Sequence, residues 1–290
     1  MVTVYLSNGF GNNIFQYVAG KLLANHHDTD LQVIPPFKNY HAITELAKIN
    51  IHCSNESPNV SGDLISCNDY HSCFTRSTSK NFHLKGHFED YKHYYKNIDL
   101  IKSWFPKTNT TQKNILSFHF RTGDRLLYKN EFKHKPSAEN IVKAIDNFDF
   151  DELHIISDMP FWKKITVEDL NQINSGKTEH KWLTTAYDTN GKLIFDKSKM
   201  VELSRSVDYF NSVYDALSPY QPIFKKRSVA DDFIFLKNSK NILFEHGTLS
   251  WWAAFLSDAE KVGVYGPWRC WKSNNKNLSD VPFINWFKWN

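Results

Sequence analysis

Residues 115–131 read ILSFHFRTGDRLLYKNE. The run opens short and apolar, the composition of a buried strand, and ends abruptly in His119, Arg121, Gly123, Asp124 and Arg125. Such a switch marks a strand running into a functional loop. In an open α/β sheet, ligands bind at the carboxyl ends of parallel strands, which puts His119 and Arg121 at a crevice. An arginine there can fork onto a phosphate through two parallel hydrogen bonds, which the point charge of a lysine cannot do. Taken alone, the stretch reads equally well as a strand end followed by a solvated charge cluster.

On the N-terminal side, residues 3–6 form a β-branched and aromatic strand, residues 7–13 a turn, and residues 14–25 a helix with Ile14, Phe15, Val18, Leu22 and Leu23 at helical spacing. Gly9 and Gly11 allow close backbone approach to a ligand, and the helix start beyond them favours an anion. The competing reading is a tight turn with structural glycines only. Residues 32–79, with Pro35-Pro36 and scattered Asn and Ser, suggest irregular structure with short elements. Residues 84–95 are dense in aromatics and histidines but lack a zinc pattern, so they read as a core-facing aromatic cluster. Residues 97–112 read as the linker between two domains.

On the C-terminal side, residues 136–147 are helical with Ser137 as N-cap, and residues 153–156 are a strand ending in Ser157-Asp158. Residues 161–173 read as a helix, 199–203 as a strand, 231–237 as a helix, and 241–244 and 262–265 as strands. Residues 251–256 are a buried helical turn, and residues 33–80 and 204–228 read as loops. The βα alternation predicts a parallel sheet with helices on both faces. Strand ends at His119–Arg121, Ser157-Asp158 and Gly247–Ser250 then converge on one edge. There an arginine neutralises phosphate, an aspartate accepts from a base or ribose, and hydroxyls with helix-start amides cradle phosphate oxygens. Each is bland by itself, since Ser157, Thr248 and Ser250 are also ordinary caps.

The chain has 290 residues, 41% of them hydrophobic, enough for a sizeable core and for two domains. A net charge of +4 excludes a dedicated nucleic-acid binder and suits an anionic small molecule. Cys53, Cys67, Cys73 and Cys270 make no CxxC pair and no disulfide scaffold, so they read as reduced thiols of a cytoplasmic protein. The N-terminus does not resemble a secretory signal, and no apolar run reaches the ~20 residues of a spanning helix.

Five stretches carry a resemblance: GFGNNIFQYVAG (9–20), KGHFEDYKHY (85–94), FHFRTGDR (118–125), IISDMPFW (155–162) and HGTLSWWAAFL (246–256). In this order they resemble the motif set of the α-1,2-fucosyltransferase family, which typically reads GGLGNQMFQYA, GYFQSEKYF, HIRRGDY, a strand ending in SDD, and NSTFSWWGA. The region near Trp268 and the closing Trp286 resemble that family's C-terminal end.

The resemblance implies an α/β protein of GT-B-like architecture, two Rossmann-type domains with a nucleotide-sugar cleft between them. Residues 1–108 would form the acceptor-side domain and 112–290 the nucleotide-sugar domain. The activity it implies is inverting transfer of L-fucose from GDP-fucose to a glycan hydroxyl, in α-1,2 linkage, with no cofactor and no obligatory metal. Arg121 would hold the β-phosphate and stabilise departing GDP. His119 and Asp158 would contact guanosine, Thr248 and Ser250 the phosphates, and Asn12, beside Gly11, the donor from the N-terminal side. Preorganised charge at the leaving group is where such catalysis gains most. Asp124, and after it Glu131, are the candidate bases for the acceptor hydroxyl; Asp124 is also placed to pair with Arg121 or Arg125.

The departures fall in the donor pocket. Thr122 stands where the family has a second arginine, Asn8 and Asn13 replace a glycine and a glutamine, Met159 replaces an aspartate, and His246-Gly247 stands for Asn-Ser. Arg125 is the candidate to compensate for Thr122. A related enzyme using another nucleotide sugar is therefore the nearest alternative. A carbohydrate-binding protein is another, from nine tryptophans and thirteen tyrosines, although Trp251 and Trp252 suit a core better. A third is peripheral membrane contact through the aromatic tail INWFKWN, which is as readily a brace between domains.

Overall fold

The computed structural model describes residues 1–37, 42–54, 61–76, 81–107, 109, 113–169, 201–266 and 283–290. Its strands form two all-parallel sheets. The first comprises β1 (Val2–Tyr5), β2 (Leu31–Ile34), β3 (Asp63–Ile65) and β4 (Phe82–Leu84), in the order β2-β1-β4-β3. The second comprises β5 (Ile115–His119), β6 (Glu152–Ile156), β7 (Ile223–Phe224), β8 (Asn241–Phe244), β9 (Lys261–Tyr265) and β10 (Trp286–Trp289), in the order β7-β6-β5-β8-β9-β10. Counted from β5 that order is 3-2-1-4-5-6, the doubly wound Rossmann arrangement. Parallel neighbours need crossovers, and among the described residues the α-helices of the chain are α1 (Phe10–His26), α2 (Ile43–Ala47), α3 (Tyr91–Tyr95), α4 (Ile98–Ser103), α5 (Gly123–Leu127), α6 (Lys129–Phe132), α7 (Ala138–Ile145), α8 (Leu203–Leu217), α9 (Val229–Lys237) and α10 (Thr248–Leu256), of which α3 and α4 join the two sheets.

Strand alternation sorts the second sheet's side chains into two cores. Leu116, Phe118, Leu153, Ile155 and Leu243 face α7 and α8, while Ile156, Ile242, Phe244, Val262 and Val264 face the other way. That other face belongs to one continuous core with α9, α10, α1 and the whole first sheet. Its centre is the pair α1 and α10. Thirteen of the seventeen α1 residues are buried, as a helix enclosed on every side requires. Phe15 of α1 stacks on Trp251 with ring centroids 5.0 Å apart and meets Trp252 edge-on at 4.8 Å. Both tryptophans have no exposed surface.

Several elements depart from expectation. The stretch 97–112 is only partly a connector, because α4 lies within it and Ile101 and Phe105 enter the first core. Residue 203 opens a helix rather than closing a strand; 199 and 200 lie outside the described residues. The stretch 204–228 is mostly α8, whose buried Val207, Phe210, Val213 and Leu217 recur at helical spacing behind a polar face. Residues 161–166 are irregular and helix begins at 167, where Thr166 and Asp169 cap each other; 170–173 lie outside the described residues. β2, β3 and β4 are strands of three or four residues, too short for periodicity to reveal. The aromatic tail enters the second sheet as β10, and Phe283 ahead of it packs against Tyr95 of α3 at 5.1 Å.

Candidate functional site

The sheet order reverses between β5 and β8, where a doubly wound sheet opens its ligand crevice. Register puts His119 beside both Phe244 and Ile156, so the segments after β5, β6 and β8 leave the sheet at one level. Three of the motif stretches thereby meet.

His119 is 5% exposed, and burial, aided by Arg121, lowers its pKa to about 4, so the imidazole is neutral at pH 7. Its ring lies against the turn opening α10, with Cε1 3.4 Å from where a Cβ on Gly247 would stand. Arg121 lies two residues beyond, its Nε 3.5 Å from Asp158 Oδ2. The other oxygen of Asp158 accepts from the Thr122 amide at 2.8 Å and from the Thr122 hydroxyl. Burial alone would raise the Asp158 pKa, but Arg121, Thr122 and His119 together hold it below its usual value. Asp158 is therefore an ionised anchor for the loop after β5, and Thr122 is wholly buried as its partner.

Behind this loop lie two charges that no motif indicated. Lys135 donates to the main-chain oxygen of Arg121 and, at 2.6 Å, to Glu245 Oε2 just beyond β8. Burial pushes Lys135 down and Glu245 up, and each opposes the other's shift. In sequence, Lys135 looks like one more surface cation of KHKP, and Glu245 like a polar strand end. Arg125 contributes positive potential to the same place: it opposes the charge on Lys135 and favours that on Glu245. Burial, followed by Arg125, Lys135 and His134, pushes the pKa of His246 to about 3.

The opposite wall comes from the first sheet, whose own order reverses between β1 and β4. Gln16 of α1 joins the two loops there. Its amide donates to Ser7 Oγ at 2.7 Å and to the Gly86 carbonyl at 2.8 Å, and its oxygen accepts from the Ser7 amide and from Asn13. The two walls touch where α1 meets α10. A Cβ on Gly11 would lie 2.3 Å from the Leu249 amide nitrogen and 2.4 Å from the Thr248 carbonyl carbon. Only glycine allows this approach, which sets two helix N-termini side by side, neither with a side-chain cap. Both concentrate positive potential on the crevice.

The structure thus unites His119, Arg121 and Asp158 and, beside them, Gly11, Thr248 and Ser250. Ser250 is buried, and its hydroxyl donates to the Gly247 carbonyl at 3.0 Å. Asn12 is half-buried in the first turn of α1. Asp124 and Glu131 fall on α5 and α6, and their side chains lie outside the described residues. Among the described residues, no group of three His, Cys, Asp or Glu side chains could hold a metal ion, and no helix is long and apolar enough to cross a membrane.

No family model matches the chain, and no curated protein matches it. Among solved structures, a similar chain is a NodZ α-1,6-fucosyltransferase crystal soaked with GDP-fucose. It aligns over 90% of this chain and 93% of that one, at 11% identity and a TM-score of 0.47, a distant likeness of outline.

Proposed function

We propose that this chain is a glycosyltransferase of GT-B-like architecture that transfers L-fucose from GDP-fucose to a glycan hydroxyl, with inversion and in α-1,2 linkage. One observation carries the reading: the five ordered stretches that resemble a fucosyltransferase motif set include four whose segments line the junction of the two reversal points. The arrangement suits a diphosphate. Arg121, steadied by Asp158, supplies the fixed cation for the β-phosphate, and the α1 and α10 N-termini supply amides, with Thr248, Ser250, Gly11 and Asn12 beside them. His119 is a neutral imidazole at the guanosine end, where it exchanges hydrogen bonds without adding charge.

In this reading, residues 1–108 take the acceptor and 112–290 the donor, in the cytoplasm. Negative charge gathers on GDP as the glycosidic bond breaks, and a cation already in place stabilises it without reorganisation. No metal is required, because Arg121 and the two helix starts carry the compensating charge, with Arg125 the candidate to add to it. Asp124, ahead of Glu131, takes the acceptor proton. Peripheral membrane contact is not needed: β10 and Phe283 account for the aromatic tail as a brace.

Thr122 supports a second donor. With a buried threonine where a second arginine is usual, the pocket presents one cation fewer, and another nucleotide sugar fits if Arg125 does not replace it. Trp251 and Trp252 are fully buried core residues, so a carbohydrate-binding role would have to use other aromatics. Calorimetric titration with GDP and UDP, with and without EDTA, tests the proposal, with Arg121→Ala as control. GDP binding that survives EDTA and fails in the variant is the expected result. Preference for UDP changes the donor, and binding of neither overturns the enzyme reading.

A further inference from the structure

The buried pair Lys135–Glu245 lies outside every motif that supports the nucleotide site, and its role rests on that reading only where nucleotide affinity is measured. Lys135 sits between α6 and α7 with its side chain 4% exposed, and Glu245 follows β8 with its side chain 2% exposed. An ammonium has three N–H donors and no acceptor. Those of Lys135 serve the Arg121 carbonyl and Glu245 Oε2, and the faces of Phe120 and Tyr209 lie 4.7 and 5.7 Å away on its remaining side. Enclosed in this way, the group is not placed to touch a ligand or to shuttle a proton.

As a device for stability alone the pair is a poor one. Taking two ions out of water is costly, and well-packed apolar replacements are often neutral or stabilising. What it does supply is geometry. One ammonium ties the main chain two residues beyond β5 to the first residue beyond β8, and these two strands are the neighbours at which the sheet order reverses. From the other side, Asp158 faces the guanidinium at 3.5 Å.

We propose that Lys135, anchored by Glu245, is a positioning residue that fixes the main chain of Arg121 and so aims its guanidinium into the crevice. Lys135 acts through Arg121, and Glu245 acts through Lys135.

The test is Lys135→Met with Glu245→Met, which removes both charges together and strands neither. The first readout needs no ligand: the Arg121 Nε–Hε resonance in nitrogen-15 spectra, assigned by its absence from Arg121→Ala. It should move toward the position of free arginine and exchange faster with water. The second is GDP affinity in wild type, the double variant, Arg121→Ala and the combination. The double variant should lose about tenfold, the worth of one misaligned charge-assisted contact, and that loss should vanish when Arg121 is absent. An unmoved resonance in a folded double variant overturns the proposal, and so does a GDP loss that persists in full without Arg121. A wild type that binds no GDP would instead sink the nucleotide reading and leave the resonance to decide this one. If the double variant does not fold, Lys135→Arg keeps a cation beside Glu245 but replaces the ammonium with a planar fork, and the same resonance should move.

Discussion

Thr122 gives both its amide and its hydroxyl to one carboxylate oxygen of Asp158, whose other oxygen faces Arg121. The residue that departs most visibly from the fucosyltransferase pattern is thus built into the support of the arginine beside it. Thr122→Val should cost about 1.5–3 kcal/mol in urea denaturation, the usual range for a lost hydrogen bond to a charged group, and should weaken GDP binding. Thr122→Arg should not restore a second phosphate cation. It forces a guanidinium into a filled site and should cost about 3 kcal/mol or more.

Arg125 projects positive charge on Lys135, Glu245 and His246. If it replaces the missing arginine, Arg125→Ala should weaken GDP binding about tenfold, the loss of one charge-assisted contact, with the unfolding midpoint nearly unchanged. Unaltered affinity in calorimetry would remove Arg125 from the donor site.

Gly11 has no room for a methyl group, because the two nearest atoms it would strike, the Leu249 nitrogen and the Thr248 carbonyl carbon, are main chain of α10 and cannot swing away as the Thr248 hydroxyl can. Gly11→Ala should destabilise by about 1–3 kcal/mol, as overpacking does, and should separate the two helix starts. GDP affinity should fall with stability in this variant, whereas Gly9→Ala, with nothing within 4 Å of its Cβ position, leaves the packing intact.

Because α1 and α10 share one core with both sheets, thermal unfolding should be a single transition by fluorescence and circular dichroism alike. Trp251→Ala should lower stability by about 3–5 kcal/mol, the range for a buried aromatic, and should lower the one midpoint rather than split it. Two separate transitions would contradict this continuity.

Asp232 supplies a pH test away from the site. Burial raises its pKa to about 7, only partly offset by Arg227, whose Nη1 lies 3.7 Å away. The folded state then holds a proton that the unfolded state releases from about pH 4 upward. This group's contribution to stability is lost as pH rises from there to about 7. Relative to wild type, Asp232→Asn should gain about 2–4 kcal/mol between pH 4 and pH 8, read from denaturation curves at each pH. A difference independent of pH would refute the raised value.

Local pattern alone was enough to place β5, β6, β8 and β9, the helices α1, α7 and α9, and the run of polar residues at the strand ends, because each has a period or a cap that neighbouring residues impose. The resemblance also rested on local strings. Short-range pattern failed where the decisive partners are remote. β2 to β4 are too brief to show alternation and become strands only by pairing with β1 or with one another, while the serines and aspartates of α8 hide a buried face that needs β5 and β6 opposite it. Only the tertiary structure made Thr122 a buried anchor, joined Lys135 to Glu245 across 110 residues, and gave Gly11 a helix to lie against. A string of residues carries its own periodicity, but the order of strands in a sheet, and hence what stands at the point where that order reverses, arises when distant segments pack.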